Sequence, residues 1–255
     1  MKHPIKYLLA SLTVLVSAPT YVHAQSAGSF VATAGAAWLD FPNSHSTELQ
    51  SQSAFGTFTS PGTNTEVHNI ATPVLLLTYF FTDNIAVQGV LGVPPTFRLA
   101  GQGQLAPLGP GGPSLPLGNL QPTATIRAWS PIVEVKYYFG HAESKLRPYV
   151  GVGVNYTWGS NIHLHPTLEG ALNQFAGPGG SVHTSVSPSW NPVLTLGASY
   201  NFSKKWYLTG SVSYLPLKTN AEFDAVSRSG RVVLSNKTRI TADPIIVFVG
   251  VGYRF

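Results

Sequence analysis

The sequence contains no cysteine. That removes disulfides, thiol nucleophiles and cysteine-ligated zinc at once. Charge is nearly as scarce: 10% of the residues are Asp, Glu, Lys or Arg, against roughly 25% in an ordinary soluble domain. Lys and Arg total 15 and Asp and Glu total 10. This small basic excess gathers into no run, so the electrostatic footprint of a nucleic-acid binder is missing. Long apolar runs are missing too. Nothing beyond the first two dozen residues reaches the roughly 18 continuous apolar residues of a spanning helix. A chain like this can cross a membrane only as a closed barrel, because only helices and barrels satisfy every backbone polar group in lipid.

What is present begins with a leader. Lys2 and Lys6 precede the short apolar run "YLLASLTVLV" at residues 7–16, Pro19 breaks it, and "VHA" ends at Ala24. A positive start, a short apolar stretch and small residues at the end are the pattern of a secretory signal peptide. We expect residues 1–24 to be removed and residues 25–255 to form one β-barrel.

The rest of the chain alternates. In "IIVFVGVGYRF", Ile245, Val247, Val249, Val251, Tyr253 and Phe255 share one face of a strand. Ile246, Phe248, Gly250, Gly252 and Arg254 share the other. The same rhythm runs through residues 129–139, 146–158, 193–202 and 206–216, and more weakly through residues 30–39, 73–81 and 85–93. The stretch "PVLLLTYFF" at residues 73–81 is apolar on both faces. Aromatics such as Trp129, Phe139, Tyr156, Trp158, Trp206 and Tyr214 fall at the ends of the apolar faces. A soluble core places its bulk in the middle, whereas aromatic girdles mark the two membrane interfaces. Connections alternate in length. Residues 82–84, 140–145 and 203–205 are tight, while residues 40–72, 96–125, 159–189 and 219–242 are long. The pattern predicts an all-β, eight-stranded antiparallel up-and-down barrel with long extracellular loops and short periplasmic turns.

Four stretches carry a family resemblance: "VKYYFG", "RPYVGVGVNYTWG", "GASYNFSKKWYLTGSVSYLPLKT" and "ADPIIVFVGVGYRF". In this order, over residues 130–255, the chain resembles the outer membrane protein W family, which includes the alkane-uptake protein AlkL. The N-terminal half resembles it more loosely, through "TAGAAWLDFP" and "TYFFTDNIAVQ". The resemblance implies a Gram-negative outer-membrane barrel for uptake of small hydrophobic molecules. It also gives Tyr253 and the terminal Phe255 the look of the signal read by the barrel-assembly machinery. The expected surroundings are outer-membrane lipids and lipopolysaccharide.

Candidate sites follow from the pattern. Glu134, Lys136, Arg147 and Arg254 point inward, and unpaired charges there are costly, so a network that plugs the lower barrel is expected. Inward glycines such as Gly197 and Gly252 leave room for larger chains. Residues 101–122, "GQGQLAPLGPGGPSLPLGNLQP", read either as a loose loop tip or as an apolar lip. Leu105, Leu108 and Leu115 there, with Leu164, Leu168 and Phe175 in the third loop, are the candidate entrance for apolar solutes. Pro94 and Pro95, which lack ladder donors, are the candidate lateral exit. His163 and His165 have no third ligand at a fixed spacing, so no metal site is assigned. His183 and Ser185 lie in a serine-rich loop with no orienting acid evident, so no catalytic residue and no cofactor is assigned. A hydrophobic channel is the first reading. A structural or adhesive barrel acting through its loops is the second. A soluble ligand carrier or an enzyme is the third, and the girdles disfavour the carrier.

Overall fold

The computed structural model describes residues 25–255, so the leader expected over residues 1–24 lies outside the described residues. Eight strands form the barrel. They are β1 (Phe30–Asp40), β2 (Ile70–Phe80), β3 (Ile85–Gly92), β4 (Ile132–Tyr138), β5 (Leu146–Leu164), β6 (Ser189–Asn201), β7 (Trp206–Tyr214) and β8 (Ile245–Arg254). Each pairs antiparallel with its sequence neighbours, and β8 returns to β1 from Val31↔Arg254 to Asp40↔Ile245. The ring leaves no open edge inside the membrane, as lipid requires.

The alternation sorts side chains between two surroundings. Val152 is 58% exposed and Leu196 is 66% exposed on the outer wall, while their neighbours Gly151 and Thr195 are buried within. Outward rings collect at both ends. Trp129 stacks on Trp158, Tyr156 lies between Trp158 and Trp190, and Trp38 and Tyr214 continue the extracellular girdle. At the periplasmic end Phe30 meets Phe255, Trp206 meets Tyr253, Tyr79 meets Phe81 and Tyr137 meets Phe139. The tight turns lie beside this second girdle. Asn84 ties two of them together by donating from Nδ2 to the carbonyls of Tyr138 (2.7 Å) and Gly140 (2.9 Å).

Eight strands enclose little more than their own side chains. Two glycines show how tightly the lower interior is filled. A Cβ on Gly252 would meet the Tyr207 ring at 2.1 Å, and one on Gly197 would meet the Tyr149 ring at 2.5 Å. These two inward glycines are therefore seats for tyrosines.

The long connections are not loose. Three of them contribute to a six-stranded sheet above the barrel, ordered residues 181–186, 218–226, 232–241, 49–53 and 56–60, with residues 45–46 pairing beside 232–241. A helix, α1 (Pro166–Ala176), packs beneath it. Pro166 fits the first helical turn, His165 caps the end by accepting from the Thr167 amide at 3.2 Å, and Gly177 ends the helix at φ 75°. Leu168, Leu172 and Ala176 recur at helical spacing and bury against Leu49, Leu105, Leu117, Leu120 and Leu234. Residues 96–125, read from sequence as one loop, open with the strand Thr96–Gln102. It pairs with Ala124–Trp129 and Asn64–Val67 and carries the wall upward. Residues 101–122 are neither a free tip nor an open lip, because Leu105, Leu117 and Leu120 are buried in the cap core.

Val152→Arg places a charge on the lipid face of β5. It should lower unfolding stability in urea by about 2–4 kcal/mol. Gly89→Ala, on the same belt with only the Leu77 carbonyl oxygen near, at 4.0 Å, should change it by less than about 1 kcal/mol. Equal losses would mean that Val152 does not face lipid.

Candidate functional site

The lumen is layered. At the bottom, Arg147 is fully buried and donates from Nη1 to the Gln25 carbonyl at 3.0 Å and from Nη2 to the Asp83 carbonyl at 2.5 Å. Its guanidinium also lies 5.3 Å from the centre of the Tyr138 ring. Tyr207 reaches over Gly252 of β8 to bond Thr33 on β1, and Arg254 donates to the Lys204 carbonyl. One level up, Glu134 and Lys136 form an ion pair at 3.6 Å with side chains 3% and 2% exposed. Gln88 donates to the same carboxylate at 3.2 Å and Thr195 donates to its other oxygen. Lys136 lies 4.4 Å over Tyr149, whose ring meets that of Tyr138 at 4.9 Å, tilted by 41°. The two adjoining rings thus carry one cation each and join the lower levels.

Above Glu134 and Lys136 the lining changes character. Ala37, Val74, Leu76 and Phe248 form one buried cluster, and Ile132, Val193 and Leu215 form another. Val90 and Ile246 pack against both clusters. All of these but Val193 wall a chamber of about 190 Å³ whose floor is Gln88, Glu134, Lys136, Thr195 and Ser213. Phe41, Phe97, Ile126 and Ile240 continue the apolar lining towards the cap.

One seam of this wall is weakly tied. The β2–β3 register ends at Val74↔Gly92, followed by one bond from the Val93 amide to the Pro73 carbonyl at 3.0 Å. Pro73 has no N–H to return, and the Thr72 hydroxyl replaces it by donating to the Val93 carbonyl at 2.6 Å. Pro94 and Pro95 follow without donors. The Pro95 carbonyl then accepts from Ala128, on the next strand along. Both prolines line the chamber.

The other sequence candidates scatter. Glu134 and Lys136 are brought together; Arg147 and Arg254 take partners nearer the periplasm. Leu105 and Leu168 are core residues of the cap, whereas Leu115, Leu164 and Phe175 pack on its margin. Leu105, Leu115, Leu172 and Phe175 also border a second cavity of about 300 Å³ in the cap, and Leu108 is half-buried nearby. Tyr253 and Phe255 sit in the lower girdle, with Phe255 73% exposed. His163 is exposed while His165 caps α1. His183 bonds Ser181 at 3.0 Å on an exposed strand and faces Asp224 across the ladder. Ser185 is not its partner. The residues that sequence reading missed are the chamber's own, Val74, Leu76, Ile246 and Phe248. Their signal was an inward face that stays apolar in the extracellular half of β2 and β8.

Comparison with known proteins agrees with this architecture. The OmpW family model matches residues 26–255. Outer membrane protein W of Vibrio cholerae is 28% identical over 247 residues, covering 97% of each chain. Outer membrane protein AlkL of Ectopseudomonas oleovorans is 27% identical over 195 residues, which is 76% of this chain and 70% of the relative. The crystal structure of the outer membrane protein OprG from Pseudomonas aeruginosa shares the fold. It has a TM-score of 0.71 at 24% identity, covering 92% of this chain and 99% of that one.

Removing one partner of the floor pair should cost far more than removing both. Glu134→Ala leaves the Lys136 ammonium buried without its counter-charge and should destabilise the barrel by about 3–5 kcal/mol. The double change Glu134→Gln with Lys136→Met should recover most of that loss, read as urea midpoints in detergent. If the double variant is as unstable as the single one, the two side chains are not coupled.

Proposed function

Because the chain belongs to the OmpW family, we propose that it is an outer-membrane channel that takes small apolar molecules from outside and releases them sideways into the bilayer. The observation that carries this reading is an apolar chamber standing on a charged floor. A cavity of about 150 Å³ lined by apolar side chains holds a benzene molecule, so a chamber of about 190 Å³ has room for one solute of that class. Such a solute loses nothing on leaving water for Val74, Leu76 and Phe248. It gains nothing by displacing Glu134 from Lys136, so the direct route to the periplasm is closed to it. The proline seam offers the lower barrier, because parting the wall there breaks few ladder bonds. On this reading the leucine-lined cavity of the cap, at Leu105, Leu115 and Phe175, is the capture point, and Pro94 and Pro95 flank the exit.

Two further parts of the proposal concern biogenesis. Residues 1–24 direct export and are cleaved, which makes Gln25 the first residue of the mature chain. Tyr253 and Phe255 are what the barrel-assembly machinery reads. No reaction is assigned to the protein.

The test is uptake. Leu76→Asn with Ile246→Asn should slow entry of a small alkane or aromatic at least tenfold while leaving glucose entry unchanged. A deletion strain should behave like the variant. If both take up the apolar compounds at the wild-type rate, the channel reading fails and a surface anchor acting through the cap becomes the better account.

A further inference from the structure

The extracellular girdle is densest on one side. Trp129 and Trp158 stack with ring centres 5.8 Å apart and planes within 3°. The strand that carries Trp129 continues upward, and Arg127 follows two residues on, on the same outward face. Thr125, two residues further, faces Arg98 on one neighbouring strand and His163 on the other. His68 lies beyond Arg98, its amide bonded to the Arg98 carbonyl at 3.1 Å. Arg98, Arg127, His68 and His163 are all exposed. Among the described residues, neither of these arginine side chains makes an ion pair or a hydrogen bond. The carboxylate on this face, Glu66, accepts from Gln102 at 2.7 Å. Asp40, on β1, accepts from the side chain of Asn69, the neighbour of His68, and so is held at the edge of this face.

Height decides what can meet these groups. At about 3.3 Å per residue, Arg127 stands about 7 Å along the strand from Trp129. The polar layer outside the hydrocarbon is about 5–8 Å deep on each side. Arg127 therefore stands at headgroup level above the flat apolar platform, and Arg98, level with Thr125 on the neighbouring strand, stands about 13 Å along the strand from Trp129, where it meets the same headgroup from its outer side.

We propose that this face binds a phosphorylated glycolipid of the outer leaflet, the lipid A part of lipopolysaccharide. Each guanidinium offers five N–H donors in a rigid fork that matches a phosphate. Arg98 and Arg127 hold a sugar phosphate, His163 and His68 flank it, and the first acyl carbons lie on the stacked indoles. Arg98, Arg127, His68 and His163 take no part in the chamber, whose lining shares only Trp158 with this face.

The experiment uses full-length protein purified from outer membranes in mild detergent, with bound lipopolysaccharide quantified per barrel. Arg98→Gln with Arg127→Gln should retain at least fivefold less than wild type, and Arg98→Lys with Arg127→Lys should recover part of the loss. Lys218→Gln, which removes one cation elsewhere on the rim, should retain the wild-type amount. Faster gel migration before boiling than after establishes that each variant is folded. Should the double variant not fold, the single variants and titration of wild-type protein in nanodiscs with lipid A or dephosphorylated lipid A decide the matter. Wild type should bind only the phosphorylated form tightly. Equal retention by the double Gln variant, an equal loss in Lys218→Gln, or equal binding of dephosphorylated lipid A would overturn the site.

Discussion

Everything in this structure depends on one constraint: no backbone N–H or C=O can go unpaired inside hydrocarbon. A chain without a long apolar run can meet it only by closing a sheet on itself. The pairing of Val31 through Asp40 with β8 does this. Once eight strands close, the interior width is set, and what fills it follows from width rather than from any special affinity. Tyrosines lie on glycines, cations lie on tyrosines, and the lower half becomes solid. The same closure makes any weakness in the ladder conspicuous, which is why three prolines gathered at one seam matter more here than in a soluble sheet.

The lumen then divides by chemistry. A buried ion pair is a poor source of stability, since dehydrating both ions cancels most of their attraction. In the proposed channel, Glu134 and Lys136 serve as a floor that rejects apolar solutes and admits no wide water column. Above them the wall turns to Val, Leu, Ile and Phe, so one strand such as β8 offers Arg254 to the bottom and Phe248 and Ile246 to the top. The layered lumen and the outward belt are written in the same strands, on opposite parities.

The barrel was legible because lipid demands a strong contrast between alternate residues. β8 shows Val247, Val249 and Val251 against Gly250 and Gly252, and that pattern survives without any tertiary knowledge. The tight turns were legible for the same reason, since the pattern breaks at them. The cap was not. Above Trp158 the outer face becomes polar and the inner face apolar, so Ser160 and His163 look like loop residues although β5 runs on to Leu164. The leucines of residues 101–122 join Leu168, Leu172 and Leu234 through contacts between distant loops, which no local period encodes. The charge pair on β4 was visible by spacing alone, whereas the placing of Arg147 on Gln25 depends on the chain ahead of β1 folding into the barrel. The chamber was only half visible, as an unexplained apolar inward face.

The length of β5 sets the reach of the molecule. Nineteen residues at about 3.3 Å each make a rod of about 63 Å. Tilted by about 40°, it rises about 48 Å, while the apolar band of such barrels is about 25 Å tall. Six of those residues lie beyond the girdle at Trp158 and lift α1 and the six-stranded sheet to about 15 Å above it, into the depth occupied by surface sugars. The barrel is therefore less a hole in a membrane than a chimney, and its opening samples a different layer of the cell surface from the one its walls stand in.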